Sequence, residues 1–207
     1  IADGHHRTAS SNYLANKNKE ENKNHTGEEN YNYFMSYLIS DANLKISAFN
    51  RFVKDLNGLT KEEFLNKLTV LFIVENKGKK TYKPSKKHHF NMYFDGEYYS
   101  LYLRKTEVPI NNALSDLDTH ILNKTILKPI LGIKDLKTDA RIKCLPAIYN
   151  KKQLKKEVDQ GNYKVGFGLF PVSVNQLKAV VNEGLRMPPK STYIEPKLRS
   201  GLTIFEI

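Results

Sequence analysis

The chain is 207 residues long, with 40% hydrophobic residues, a formal net charge of +11 and one cysteine. That length and apolar content suffice for one large domain or two small ones with a real core, while no stretch reaches the roughly 20 apolar residues a membrane span needs. The single Cys144 excludes an intramolecular disulfide framework and a Cys-based zinc cluster and fits a reducing, cytoplasmic setting.

The basic balance, 33 Lys and Arg against 22 Asp and Glu, is carried mostly by lysine. Base-reading surfaces favour arginine, so a lysine-rich composition is preferred here over a nucleic-acid partner. The expected partner is a small-molecule substrate; nothing in the sequence speaks to oligomeric state.

Ile1-Ala2-Asp3-Gly4-His5-His6-Arg7 reads as the end of a strand turning into a helix whose first amides face outward. Free amides at a helix start favour phosphate or carboxylate, and Arg7 adds a bidentate fork. Only two residues remain to form the incoming strand, so a sizeable N-terminal part is expected upstream. Residues 5 to 15 are predicted to form a short helix packing Ala9, Tyr13 and Leu14. Asn16 to Asn30 has no apolar residue and predicts a mobile polar loop or a solvated helix extension, with His25 exposed. Tyr33 to Ile39 becomes apolar and reads as strand or helix, Asp41-Ala42-Asn43 turns the chain into Leu44 to Phe49, and two strands are the favoured reading.

Thr60-Lys61-Glu62-Glu63 is a capping box opening a helix to about Lys67. Val70 to Val74 reads as a buried strand. Phe90, Met92 and Phe94 alternate with polar residues, and Asp95-Gly96 turns the chain into Tyr98 to Leu103, a hairpin. His88 and His89 fall on opposite faces of its first strand and cannot share one ion. Ser115 predicts the cap of a helix over Asp116 to Leu131, ended by Gly132; Asp118 and His120 within it point in different directions. A strand over Arg141 to Leu145, a helix start over Asn150 to Gln153 and a strand over Lys164 to Phe170 follow. Ser173-Val174-Asn175-Gln176 is a second capping box, and final strands are expected over Thr192 to Glu195 and Leu202 to Phe205. Helices alternating with strands and a hairpin indicate α+β or mixed α/β, with a mixed sheet and packed helices in one compact unit over 1–207.

No phosphate loop of the Gly-x-x-x-x-Gly-Lys-Ser/Thr type occurs, and Gly166-x-Gly168 lacks the rest of a dinucleotide fingerprint. The histidines are scattered or adjacent rather than one helical turn apart, so no metal site is expected. The closing stretch Met187 to Gly201 instead combines three prolines that fix a backbone path with Lys190, Lys197 and Arg199 as cations and Ser191, Thr192 and Ser200 as hydroxyl donors. It reads as an anion-holding segment or as a stiffened crossover with solvated lysines.

Taken together, Ala2-Asp3-Gly4-His5-His6-Arg7 and Met187-Pro188-Pro189-Lys190-Ser191-Thr192-Tyr193 with Pro196-Lys197 and Ser200-Gly201-Leu202 resemble the bacterial and archaeal family called domain of unknown function 1015. Leu117-Asp118, Pro129 to Ile133, Arg141-Ile142 and Phe170-Pro171-Val172 fall between them in the family's order. The resemblance implies that the chain is the C-terminal half of a protein about twice as long. The Asp-Gly-His-His-Arg turn is also similar to the phosphate-binding turn of the ParB/sulfiredoxin-like fold, found in free-serine kinases and ParB nucleotide-binding domains. It therefore implies a kinase-type transfer of a phosphoryl group to free serine, with Mg²⁺ and ATP, ADP or pyrophosphate as donor; the alternatives are a ParB-like nucleotide- or nucleic-acid-binding regulator and a degenerate interaction protein. In sulfiredoxins a reactive cysteine precedes the His-Arg pair, where this chain has His5. The site implied comprises Asp3, His5, His6 and Arg7 as catalytic residues. Gly4, Arg51, Lys190, Ser191, Thr192, Lys197 and Arg199 would grip phosphate or substrate. Asn50 precedes Arg51 where family members tend to carry a His-Arg pair, and Leu185 stands where an acidic residue is common.

Overall fold

The computed structural model describes residues 1, 3–148, 152–197, 199 and 201–206. Ala2 of the incoming strand, Asn150 of the expected helix start and the Ser200 hydroxyl lie outside the described residues. The chain divides into two compact units, Ile1–Lys45 with Ile194–Ile207, and Ile46–Tyr193.

The larger unit is α+β. Its strands β2 (Phe49–Val53), β3 (Phe72–Gly78), β4 (His89–Phe94), β5 (Glu97–Leu103), β6 (Ile142–Pro146) and β7 (Val165–Leu169) form a six-stranded sheet in the order β3-β5-β4-β7-β2-β6. Every ladder in it is antiparallel, so the sheet is antiparallel rather than mixed. Two short strands, β1 (Lys45–Ser47) and β8 (Tyr193–Glu195), make a separate sheet.

The hairpin of β4 and β5 turns at Asp95-Gly96, both with positive φ, and aligns Phe90 with Leu101 and Met92 with Tyr99. One face of the sheet carries Phe72, Phe90, Met92, Phe94, Leu101 and Phe167 into the main core. Helix α2 (Lys61–Leu71) covers it through Phe64 and Leu68. Phe64 meets Phe94 edge-on at 5.4 Å between ring centroids, and Phe72 meets Phe90 at 5.7 Å, the geometry that the aromatic quadrupole favours. The capping box of α2 is present in full, Thr60 and Glu63 satisfying each other's amides. That helix runs on through Val70 and Leu71, so the strand expected from Val70 begins at Phe72.

On the opposite face, helix α4 (Gln153–Asp159) packs Leu154 against Phe52, Tyr93 and Tyr98. A Cβ on Gly166 would lie 3.1 Å from both Leu154 and Phe52, and one on Gly168 would lie 3.3 Å from Asn91 and Leu154. The Gly166-x-Gly168 pair of β7 thus admits a helix to close range, a packing role. Helix α5 (Val174–Asn182) opens on the second capping box, at Ser173 and Gln176, as read from the sequence.

The long helix expected over Asp116 to Leu131 is broken up. The Ser115 hydroxyl accepts the Asn111 and Asn112 amides instead of capping, so α3 spans only Asp118–Leu122 and passes into a π-turn over Asn123–Leu127. Thr125 donates to the Ile121 carbonyl there, the kind of side-chain bond that competes with helical regularity.

In the smaller unit, helix α1 (His5–Glu21) is longer than expected, absorbing the first part of the polar stretch as a solvated extension. It buries no residue: Ala9 and Tyr13 are exposed rather than packed. His25 is not exposed; its ring stacks on Tyr31, and its Nδ1 lies 2.9 Å from Tyr31 Oη and 3.0 Å from Glu29. Tyr33 to Ile39 and Leu202 to Phe205 form no strands. Both segments are rich in apolar residues, but among the described residues their backbones find no ladder partner, and Leu38 stands 89% exposed.

Candidate functional site

Glycine is required where the chain enters α1. Gly4 is the N-cap at φ 81°, in the left-handed region, and no side chain caps the helix. Asp3 instead accepts the Gly4 amide on Oδ1 at 2.8 Å, one position too early to reach the first turn. Thr8 closes that turn by donating its amide to the Gly4 carbonyl at 3.0 Å. The amides of His5, His6 and Arg7 precede that bond, and no backbone carbonyl among the described residues accepts them. Arg7 folds over the same turn: its Nη2 lies 3.3 Å from where a Gly4 Cβ would stand. Three amides, the positive helix end and a guanidinium therefore converge, an arrangement suited to an oxyanion. The side chains of His5 and His6 are exposed, and Ile1 is outside any strand.

Lys197, from the closing segment, reaches the same turn and pairs with Asp3, Nζ to Oδ2 at 2.5 Å. The Lys197 hydrogen bond, opposed by partial burial and reinforced by the Gly4 amide, holds the Asp3 carboxyl below its ordinary value. Arg199 is exposed in this unit.

Arg51, Lys190, Ser191 and Thr192 belong to the larger unit. Arg51 is 1% exposed and donates from Nη1 to the Phe49 carbonyl at 2.5 Å and from Nη2 to the Lys190 carbonyl at 2.7 Å. Burial lowers its affinity for its proton, and among the described residues no carboxylate pairs with it. Lys190, at φ 55°, is exposed, with Nζ 5.7 Å above the Phe49 ring. The Ser191 hydroxyl donates to the Pro188 carbonyl at 2.6 Å and lies 3.2 Å from Thr119 Oγ1. Thr192 is half-buried. Cys144, opposite Arg51 in the β2–β6 ladder, is half-buried rather than in the core, and burial pushes its thiol up.

Asp118, whose spacing from His120 argues against a joint role, is a buried titratable group in its own right. It is buried at the start of α3 and accepts the His88 amide on Oδ1 at 2.8 Å; burial pushes its carboxyl up to about 7. No hydrogen bond links it to His120. His88 turns its ring the other way, Nε2 lying 2.9 Å from Asp116 Oδ1, while His89 packs edge-on against Tyr102.

Among the described residues, no three His, Cys, Asp or Glu side chains gather to hold a metal ion. Asp3, the carboxylate at the α1 turn, has Oδ1 on the Gly4 amide and Oδ2 on Lys197, so the residues present do not fit a protein-built Mg²⁺ site. The same turn fits a phosphate. Among the described residues, no helix is long and apolar enough to cross a membrane.

The family model described as "Protein of unknown function (DUF1015)" matches residues 1–120. No curated protein matches the chain. Among solved structures, the chain is similar to a free serine kinase in complex with AMP, at 12% identity and a TM-score of 0.43, over 73% of this chain and 54% of that one. A mutant of a free serine kinase with ADP matches at 14% identity and a TM-score of 0.41, over 73% and 54%. A conserved hypothetical protein from Pyrococcus furiosus matches at 12% and 0.42, over 73% and 56%. The chain spans about half the length of these structures.

Proposed function

The chain belongs to the DUF1015 family, and from that premise we propose that it is a small-molecule phosphotransferase that phosphorylates the hydroxyl of free L-serine from a nucleotide or pyrophosphate donor, in the cytoplasm. The observation that carries this reading is the uncapped start of α1, where the amides of His5 to Arg7 and the Arg7 guanidinium converge beside the Asp3–Lys197 pair.

Phosphoryl transfer asks mainly for positioning and for neutralisation of charge on the phosphoryl oxygens. In this reading the transferred phosphoryl rests on the α1 amides, with Arg7 and His6 on its oxygens. Gly4 has no side chain to keep it away. The serine Oγ–P bond forms as the bridging P–O bond of the donor breaks, the donor leaving one phosphate shorter. Asp3, kept ionised by Lys197, accepts a hydrogen bond from the serine hydroxyl, orients it, and takes its proton as the Oγ–P bond forms, passing it on to solvent; its depressed pKa makes it a weak base, and a loose transition state needs little base strength. Lys197 and Arg199 offset charge on the phosphoryl group, while His5 lines the approach. Arg51, Lys190, Ser191 and Thr192 belong to the larger unit, where the Arg51 guanidinium is taken up by the Phe49 and Lys190 carbonyls, and they have no part in this step.

The reading is tested by giving full-length protein serine, Mg²⁺ and ATP, ADP or pyrophosphate in turn and measuring phosphoserine. Product is expected with at least one donor, and Arg7→Ala abolishes it while the protein stays folded. Absence of turnover with every donor overturns the phosphotransferase; ligand binding without turnover would then assign a degenerate binding protein, and binding to nucleic acid that weakens steeply with salt would assign a regulator.

A further inference from the structure

Beside the anion turn, the smaller unit holds a groove of about 440 Å³ whose lining includes His5, Ala9 and Asn12 on one side and Tyr31, Tyr33 and Phe34 on the other. The helix residues fall at i, i+4 and i+7, one face of α1 starting at the turn itself. That face is unusual for a helix: it carries small or polar side chains and buries nothing. The opposing wall is aromatic. Tyr31 is fixed in place, its hydroxyl accepting the Asn22 side-chain amide at 3.1 Å and its ring stacked on His25. Tyr33 and Phe34 leave their rings about half exposed, at 52% and 50%.

We propose that this groove binds the nucleoside of a nucleotide whose phosphates lie at the start of α1, so that the donor is a nucleotide rather than pyrophosphate. The inference rests on the anion reading of the α1 turn and adds an occupant for the space next to it. His5 belongs to both the turn and the groove, so the two are continuous. From His5 to Asn12 a helix rises about 10 Å, the distance that separates a phosphate from its base in an extended nucleotide. Small residues on the helix side leave room for a flat ring, aromatic rings on the other side offer stacking surfaces, and the Asn12 side-chain amide supplies both a donor and an acceptor for a base edge. A ligand that is anionic at one end and planar and weakly polar at the other matches that sequence of chemistries; pyrophosphate would leave the groove unused.

The test is calorimetric titration of the full-length protein with ADP, pyrophosphate and adenosine, repeated with the double variant Tyr33→Ala/Phe34→Ala, whose altered side chains are half exposed and whose fold is checked by circular dichroism. ADP is expected to bind about tenfold or more tightly than pyrophosphate, and the double variant removes that advantage while leaving pyrophosphate affinity within twofold. Equal binding of ADP and pyrophosphate, or an ADP advantage that survives the double variant, overturns the groove assignment and leaves the anion turn intact. Adenosine binding that the double variant abolishes, without any binding of pyrophosphate, keeps the groove and overturns the anion turn. Failure of all three ligands overturns both.

Discussion

Lys197 Nζ lies 2.5 Å from Asp3 Oδ2, so residues 194 positions apart meet at the entrance to α1. The pair lies at the surface, with side chains 43% and 53% exposed, and its role is to set the charge of Asp3 more than to stabilise the fold. Exposed pairs contribute roughly 0–1 kcal/mol. Because the folded pKa of Asp3 is depressed, the small contribution it makes is present above the unfolded value and is lost as pH falls through the folded one. Replacing Lys197→Met is expected to raise the Asp3 pKa toward the ordinary aspartate value, as read by an NMR titration of the side-chain carboxyl, with little change in melting temperature. An unmoved titration would show that the Gly4 amide alone holds Asp3.

Gly4→Ala places a side chain at φ 81°, and its Cβ meets Arg7 Nη2 at 3.3 Å. The left-handed backbone costs an L-residue roughly 1–2 kcal/mol, and Arg7 has to leave its position over the turn. The expected outcome is faster hydrogen exchange across the first turns of α1 together with weaker phosphate binding. Unchanged binding would mean that Arg7 does not need its place over Gly4.

Asp118 makes stability depend on pH with the opposite sign to Asp3. Its folded pKa is raised to about 7, so between about pH 4 and pH 7 the folded state holds a proton that the unfolded state has lost, and stability falls as pH rises through that window. A shift of that size corresponds to a loss on the order of 4 kcal/mol by pH 8. Asp118→Asn keeps an oxygen to accept the His88 amide and should flatten the difference between urea midpoints at pH 5 and pH 8. An equally steep loss in the variant would assign the dependence to another group.

Arg51 is a buried cation resting on two carbonyls. Arg51→Ala strands those carbonyls and opens a cavity, which should destabilise the protein by about 3–5 kcal/mol. Arg51→Met fills most of the volume and removes the unpaired charge, so its cost should be smaller, below about 2 kcal/mol. Comparing the two by denaturant unfolding decides the matter; equal losses would show that the two carbonyl bonds outweigh the burden of burying the charge.

What could be read from the residues was local. Thr60-x-x-Glu63 and Ser173-x-x-Gln176 each satisfy their own helix start, and Asp95-Gly96 makes its own turn, so both capping boxes and the hairpin stand where the pattern placed them. Reading failed where an outcome depends on a partner elsewhere. Tyr33 to Ile39 looks like a strand but has no ladder to join, and Ser115 looks like a cap but its hydroxyl is taken by Asn111 and Asn112. At the site, the turn from Asp3 to Arg7 was legible because glycine, acid and arginine act within one helical turn. The Lys197 pair and the aromatic wall of Tyr31, Tyr33 and Phe34 were not, since each is brought to α1 from another segment.

The central claim, that the start of α1 is an oxyanion site, is tested most directly by titrating pyrophosphate into ¹⁵N-labelled protein and following the backbone amides. Saturable shifts of the His5, His6 and Arg7 amides, abolished by Arg7→Ala while the remaining spectrum is preserved, are the result expected. Pyrophosphate shifts confined to other residues, or absent altogether, would contradict it.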